Sequence, residues 1–295
     1  MKKYCFDNSQ IKNFINDFEE VYGRFLGFGG LVFDDENQLV RLKKCFYACA
    51  LCHNMNWEYL CNKVISPYFD ATNFEPKLLR DNGVKVFAKC FDGYEKKHKI
   101  EADVRFSMLC TLADYVADNP DVFNKILGCQ KLDGADGLNE TINTLPVFMD
   151  DPLHKKGNLL VQILLREGFV SVEDEENVEP AVDYHVIRSY LRFPFVNVMD
   201  DNITDRLITG GDFSLAEITE LRTSISDAMK YISKKSGVSV AKLCFLAWSI
   251  GRDYCHKEGA SCVESDECPV CHICKGKMEE SIRLLKEPVS NHGFY

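Results

Sequence analysis

The sequence reads as an all-α protein, and three observations lead there. Apolar residues recur at helical spacing through most of the chain. Capping signals open several of those stretches. No run alternates apolar and polar residues as a series of strands would. Neither an internal repeat nor a low-complexity tract interrupts the pattern, and roughly ten helices fit it.

The first helix is expected over 9–25, where Ile11, Phe14, Ile15, Phe18 and Val21 repeat with charge between them. Gly27, Gly29 and Gly30 break it, and Leu31, Val32 and Phe33 read as a short strand or turn. A second amphipathic helix is expected over 37–52 and a third over 57–64, ended near Pro67. Helices over 75–94, 101–116 and 120–127 follow; Asn119 starts the last, with Pro120 at its first position. The Gly-, Asp- and Asn-rich stretch 132–144 reads as a loop. Helices are next expected over 153–167 and 183–192. Between them Glu173, Asp174, Glu175, Glu176 and Glu179 make an acidic, solvated segment. Ser214 and Glu217 form a capping box that opens a long helix to 234, and the apolar stretch 238–250 reads as a buried helix.

A chain of 295 residues is long enough for one large core or two lobes. Its 46% hydrophobic and 27% charged residues suit a soluble globular protein. No apolar run reaches the roughly 18 residues of a membrane span, so no membrane partner is expected. Lys2 and Lys3 are not followed by a hydrophobic segment, so no signal peptide is read and the expected location is cytoplasmic. The net charge of −10 counts against an extended phosphate-gripping face.

Of the 14 cysteines, Cys49, Cys52, Cys61, Cys110 and Cys244 lie in apolar runs and read as buried small hydrophobes in a reducing compartment. Cys45, Cys49 and Cys52 share a helical face, which leaves core packing and a second metal site both open. Near the C-terminus, Cys255, Cys262, Cys268, Cys271 and Cys274 fall within twenty positions. Thiolates are soft ligands that select zinc or iron–sulfur clusters. Cys268, Cys271 and Cys274, with His256 or His272, would suit a tetrahedral zinc ion. Asp183, after an acidic segment and Pro180, reads by itself as a helix N-cap.

Two segments carry a resemblance. They are Val182-Asp183-Tyr184-His185-Val186 and Gly251-Arg252-Asp253-Tyr254-Cys255, the latter leading into the cysteine run. Together they resemble the helix-hairpin-helix DNA glycosylase superfamily, most closely its endonuclease III branch. That branch carries a catalytic Asp in a Val-Asp-x-His-Val segment and a Gly-Arg-x-x-Cys segment that opens a 4Fe–4S iron–sulfur loop. Its cluster spacing is C-x6-C-x2-C-x5-C. Here both outer gaps match, from Cys255 to Cys262 and from Cys268 to Cys274, while the middle gap is three residues longer. The resemblance therefore implies Cys255, Cys262, Cys268 and Cys274 as ligands of a structural 4Fe–4S cluster, with Cys271 spare and zinc as the alternative. It covers about 183–274 and implies a two-lobed helical glycosylase-like fold with a C-terminal metal-cluster loop. The helical core would span 1–254, with a lobe boundary near 130–150, and the cluster loop and a C-terminal helix would span 255–295.

The implied function is cleavage of the base–sugar bond of a damaged or modified base in DNA. Asp183 would stabilise positive charge building on the sugar, and the base would be flipped out of a duplex into a pocket. In bifunctional members a lysine at the start of the helix before the catalytic Asp forms a Schiff base, and Lys155 or Lys156 stands at that place; Lys156 is the candidate nucleophile. Trp57, Tyr59 and Tyr184 are candidates to stack on a base, and Asn54 and His53 to line its pocket. Arg188 and Arg192 follow Asp183 at helical spacing, placed to meet phosphate or to pair with the acidic segment.

The family's glycine-rich, phosphate-gripping hairpin has no counterpart at 149–158, where Asp150 and Asp151 precede the helix and no Gly-x-Gly occurs. The run from Leu145 to Lys156, followed by Ala181-Val182-Asp183-Tyr184, is similar to an arrangement in the queuosine salvage nucleosidases, a helical family without the cluster. That similarity implies the same bond class on a free modified nucleoside. A non-catalytic DNA-binding protein of the same fold is the third alternative.

Overall fold

The computed structural model describes residues 2–24, 33–95 and 100–288. The fold is all-α, with a short antiparallel strand pair added. Strand β1 (Tyr4–Phe6) leads into α1 (Asn8–Asn16) and α2 (Phe18–Arg24), so the single helix expected over 9–25 is two, parted at Asp17. The glycines at 27, 29 and 30, with Leu31 and Val32, lie outside the described residues. Helix α3 (Gln38–Leu51) is capped by the Asn37 side chain, which accepts from the backbone of Leu39 and Val40.

Next come α4 (Trp57–Tyr59), a π-helical stretch (Leu60–Ile65) and α5 (Ser66–Thr72). The chain does not stop near Pro67 as expected. The wide turn, in which the Ser66 N–H donates to the Cys61 carbonyl, carries helix past a residue that has no N–H to give. Helix α6 (Pro76–Lys89) is interrupted at Gly83, whose φ of 67° is left-handed. Helices α7 (Ala102–Asp118) and α8 (Val122–Gly128) follow. Inside the expected loop lies α9 (Leu138–Asn143), whose Leu138 and Ile142 are buried. Then come α10 (Lys155–Arg166), α11 (Tyr184–Arg192), strand β2 (Val196–Val198), α12 (Asp201–Thr209), α13 (Leu215–Ser236) and α14 (Val240–Asp253). The capping box of Ser214 and Glu217 is formed as expected. Two short helices, α15 (Lys275–Met278) and α16 (Glu280–Arg283), end the described chain.

The chain divides into two compact units, 1–28 with 179–293, and 29–178. The division therefore does not fall near 130–150. That stretch is internal to the second unit because α9 packs on both α8 and α10. Nor does the cysteine segment stand apart, for it belongs to the same unit as Asp183.

In the first unit β1 pairs with β2, Cys5 opposite Asn197, and α11 lies along α14 with α13 behind. Phe14 meets the edges of Phe193 and Phe195, at ring-centre distances of 5.8 and 5.0 Å. The approach of α14 to α11 depends on Gly251: a Cβ there would sit 2.3 Å from the His185 carbonyl oxygen. In the second unit α3 is central, packed against α10 and α7. Its Phe46 meets the rings of Phe123 and Phe148. No helix among the described residues is long and apolar enough to cross a membrane.

The Gly251 contact predicts that Gly251→Ala forces α14 off α11 and costs about 1–3 kcal/mol, the usual range for overpacking. Urea unfolding measures it, and an unchanged midpoint would show that the two helices can separate freely.

Candidate functional site

Asp183 is the N-cap of α11. Its Oδ1 accepts the backbone N–H of Val186 at 3.0 Å, so the local capping reading holds. Its Oδ2 takes no hydrogen bond among the described residues, although the residue is only 6% exposed. The segment ahead of it is tied down from behind. Arg222, fully buried, donates Nε to the Val182 carbonyl, and the Cys244 thiol donates to that of Ala181. The carboxylate thus stands on a backbone fixed on both sides, with one oxygen engaged.

The next turns of α11 carry Arg188 and Arg192, both buried. Arg188 donates Nε to the Cys255 carbonyl and Nη2 to that of Gly251 (2.7 Å), and its Nη1 pairs with Glu287 at 2.7 Å. Its Nη2 also meets His185 Nδ1 at 3.0 Å, and because a guanidinium only donates, that ring nitrogen accepts. Arg192 donates to the carbonyls of Leu285 (2.6 Å), His256 (2.6 Å) and Lys257 (2.8 Å), with Nη1 3.7 Å from Cys255 Sγ. Neither arginine meets the acidic segment 172–180. Burial holds the His185 imidazole below its ordinary pKa, against the pull of Asp183.

These arginines hold the cysteine segment against α11. Arg188 reaches the Cys255 carbonyl, the Cys274 thiol donates to the Arg192 carbonyl (3.5 Å), and a Cβ on Gly276 would strike that same oxygen at 2.3 Å. Cys255 is half-buried; Cys262, Cys268 and Cys274 are buried. The four sense one another electrostatically. Burial raises the Cys268 thiol, which also feels Cys274, Cys262 and Cys255. Burial pushes Cys274 up to about 12, and it feels Cys255 and Cys262. Cys262 is raised by burial and then by Cys255. Cys271 is outside this set, its thiol donating instead to the Asp266 carbonyl at 3.2 Å. Among the described residues, no three His, Cys, Asp or Glu side chains stand at ligating positions around one point. The four thiols suit a soft metal centre in donor type and number, but the structure does not bring them to ligating positions around one point. His272 lies near Glu20, at 3.9 Å.

In the second unit, Lys156 lies in the first turn of α10 and is 2% exposed, not the solvated surface charge usual at a helix start. Its Nζ has the Met108 sulfur at 3.9 Å and no carboxylate at ion-pair distance among the described residues. Burial lowers its pKa from 10.5 to about 8, assisted by Lys155 and Arg105 and opposed by Cys52 and Asp150. Lys155 donates to the Cys52 carbonyl (3.1 Å) and thiol (3.4 Å). Arg105, fully buried on α7, donates to the carbonyls of Ile100 and His53. His53 is fully buried and held neutral by burial and by Arg105, Lys156 and Lys155.

Asn54 is exposed, in a left-handed conformation on the loop after α3, and Trp57 is half-buried at the start of α4. Neither is hydrogen-bonded to Lys156 among the described residues. Tyr59 donates to the Cys90 carbonyl (3.0 Å), and its ring lies 4.7 Å from that of Tyr94. Tyr184 is half-buried with its ring 4.1 Å from that of His185. The N-terminus of α10 is already occupied: Asp151 accepts from the backbone of Leu153 and Lys155. Arg105 was missed by the sequence reading. Its signal was a charge at the 105, 109, 112 spacing shared with buried Leu109 and Leu112.

Compared with known proteins, the chain matches no family model and no curated protein.

The buried amine makes a prediction about pH. Between about 8 and 10.5 the unfolded chain holds a proton that native Lys156 has shed, so this group makes stability rise with pH across that window. Lys156→Met should therefore unfold at higher urea than the wild type at pH 7, with the gap narrowing by pH 10. Equal midpoints at pH 7 would show that the ammonium is not desolvated.

Proposed function

We propose that this protein is an N-glycosylase of the helix-hairpin-helix type, cleaving the bond between sugar and a damaged or modified base in DNA. The observation that carries the reading is the coupling of its two motifs. Asp183 begins the helix whose Arg188 and Arg192 take the carbonyls at and after Gly251 and Cys255. Two segments separated by more than sixty residues thus form one construction, in the chain order the resemblance leads one to expect.

Asp183 is the group assigned to the chemistry. One oxygen holds the helix cap, which fixes the carboxylate; the other is left to face positive charge on the sugar ring and to orient the attacking water or amine. Lys156 supports an amine-dependent branch of the reaction. An amine with a pKa of about 8 is partly unprotonated near neutral pH, as attack on a sugar carbon requires. Cys255, Cys262, Cys268 and Cys274 would hold a 4Fe–4S cluster, with zinc as the alternative, and the centre would tie down the loop without taking part in bond cleavage.

A free modified nucleoside is the second reading, and one observation favours it. The helix start that would grip a DNA phosphate is capped by Asp151, whose carboxylate takes the N–H of Lys155.

Asp183→Asn keeps an N-cap, because asparagine caps as well as aspartate. It should retain the fold and metal content while base release falls by about 10²–10⁴. Unchanged turnover would sink the assignment. Purified protein should be brown with a broad visible band; a colourless, zinc-containing protein would replace the cluster by zinc. Borohydride should trap a covalent adduct between wild-type protein and abasic DNA, and Lys156→Met should not form it. Duplex binding should weaken steeply as salt rises. Absence of binding at low salt, with release from a free nucleoside, would select the second reading.

A further inference from the structure

The second unit contains a thiol arrangement that the glycosylase reading does not use. Cys52 caps the C-terminal end of α3, one turn after Cys49, so the two form a Cys-x-x-Cys pair at a helix end. The Cys52 sulfur is half-buried and lies 3.0 Å from the Cys49 carbonyl oxygen, so its side chain turns back over the last turn. Lys155, 5% exposed, brings its ammonium to 3.4 Å from that sulfur and 3.1 Å from the carbonyl of the same residue. Cys49 is fully buried and its thiol is pushed well up by that burial, and then by Cys52, Cys45 and Cys61. The pair is therefore asymmetric. One residue is half-buried with a cation donating to its sulfur, and its neighbour is enclosed with its thiol pushed up. An ammonium donor stabilises the charge a sulfur carries as it attacks. Accessible attacking thiols of this kind are commonly poised beside a resolving one.

We propose that Cys52 is a peroxide-reactive thiol and that Cys49 resolves it to an intramolecular disulfide. In the first step Cys52, having given up its proton, attacks one oxygen of hydrogen peroxide. An S–O bond forms and the O–O bond breaks, and the departing hydroxide takes the released proton to leave as water. The sulfur is oxidised by two electrons to sulfenic acid and the peroxide is reduced. In the second step Cys49 loses its proton and attacks the Cys52 sulfur. The S–S bond forms, the S–O bond breaks, and hydroxide leaves as a second water with the proton from Cys49. Two thiols and one hydrogen peroxide give one disulfide and two waters. The oxidised pair no longer offers Lys155 a thiol, so the first turn of α10 senses the change. None of this rests on the glycosylase reading.

The test treats the full-length protein, as purified, with stoichiometric hydrogen peroxide. It then maps each cysteine by differential alkylation and fragment mass spectrometry. In the wild type the Cys49–Cys52 disulfide should form at least about tenfold faster than Cys90, a half-buried thiol raised by its burial, is modified. In Cys49→Ser a 1,3-dione probe should label Cys52 as sulfenic acid. Lys155→Gln should slow the wild-type reaction about tenfold, and Lys155→Arg should retain it. Circular dichroism reports whether each variant is folded, and the wild-type competition stands without any variant. Cys52 reacting no faster than Cys90 would overturn the proposal. So would a disulfide from Cys52 to Cys45 or Cys61, or a dione label on another cysteine.

Discussion

The first unit depends on two guanidinium groups that cannot give up their charge. Arg188 and Arg192 are buried one turn apart on α11, and a buried guanidinium must find acceptors for its five N–H bonds. The segment after α14 has the complementary need. Its carbonyls lie outside regular structure and must find donors. The carbonyls at 255, 256, 257 and 285 answer both requirements at once, and that of Gly251, in the last turn of α14, is a further acceptor. Glu287 supplies the carboxylate, nearly as buried as the arginine it meets. Such a pair contributes little net stability when intact, but removing one partner leaves an uncompensated charge and costs about 3–5 kcal/mol. The position of α11 and the path of the cysteine segment are therefore set by a single group of bonds.

That constraint fixes both ends of the cysteine segment. Arg188 fixes the backbone of Cys255, and the contact of Arg192 with Cys274 and Gly276 fixes the other end of the segment. Between these anchors Cys262 and Cys268 are carried into the same neighbourhood, and Cys271 turns to the Asp266 carbonyl. Burial, and then the neighbouring cysteines, raise the thiols of Cys262, Cys268 and Cys274. Thiols bind a soft cation only as thiolates, so any metal taken up by such a set would have to displace their protons.

The helices were largely legible because their spacing and caps are local. Asn37, Asp183 and Ser214 each cap the helix that the sequence places after them. What escaped was non-local. The helix through Pro67 needed a π-turn, and the six residues of α9 are helical because Leu138 and Ile142 have a core to enter. The spacing of the cysteines distinguishes four from the fifth, and in the structure the Cys271 thiol turns to the Asp266 carbonyl. No spacing reveals that Arg188 and Arg192 meet loop carbonyls and Glu287, because an acceptor more than sixty residues away leaves no trace near the donor. Lys156 misleads in the same way. A lysine at a helix start is usually solvated, and only the packing of α10 on α3 and the approach of Met108 remove it from water.

The interior arginines and lysines also change what the net charge means. Among the described residues seven Lys and Arg side chains are buried: Lys44, Arg105, Lys155, Lys156, Arg188, Arg192 and Arg222. Among the described residues only Asp151, Asp183 and Glu287 are buried acids. The solvent-facing surface is thus more acidic than −10 suggests, since cations have been drawn inward to hold loops and helix ends. Phosphate binding relies on cations that water and counterions can reach, and these seven do not contribute to it. The arginine clamp on the cysteine segment therefore consumes charges that a phosphate-binding surface would need.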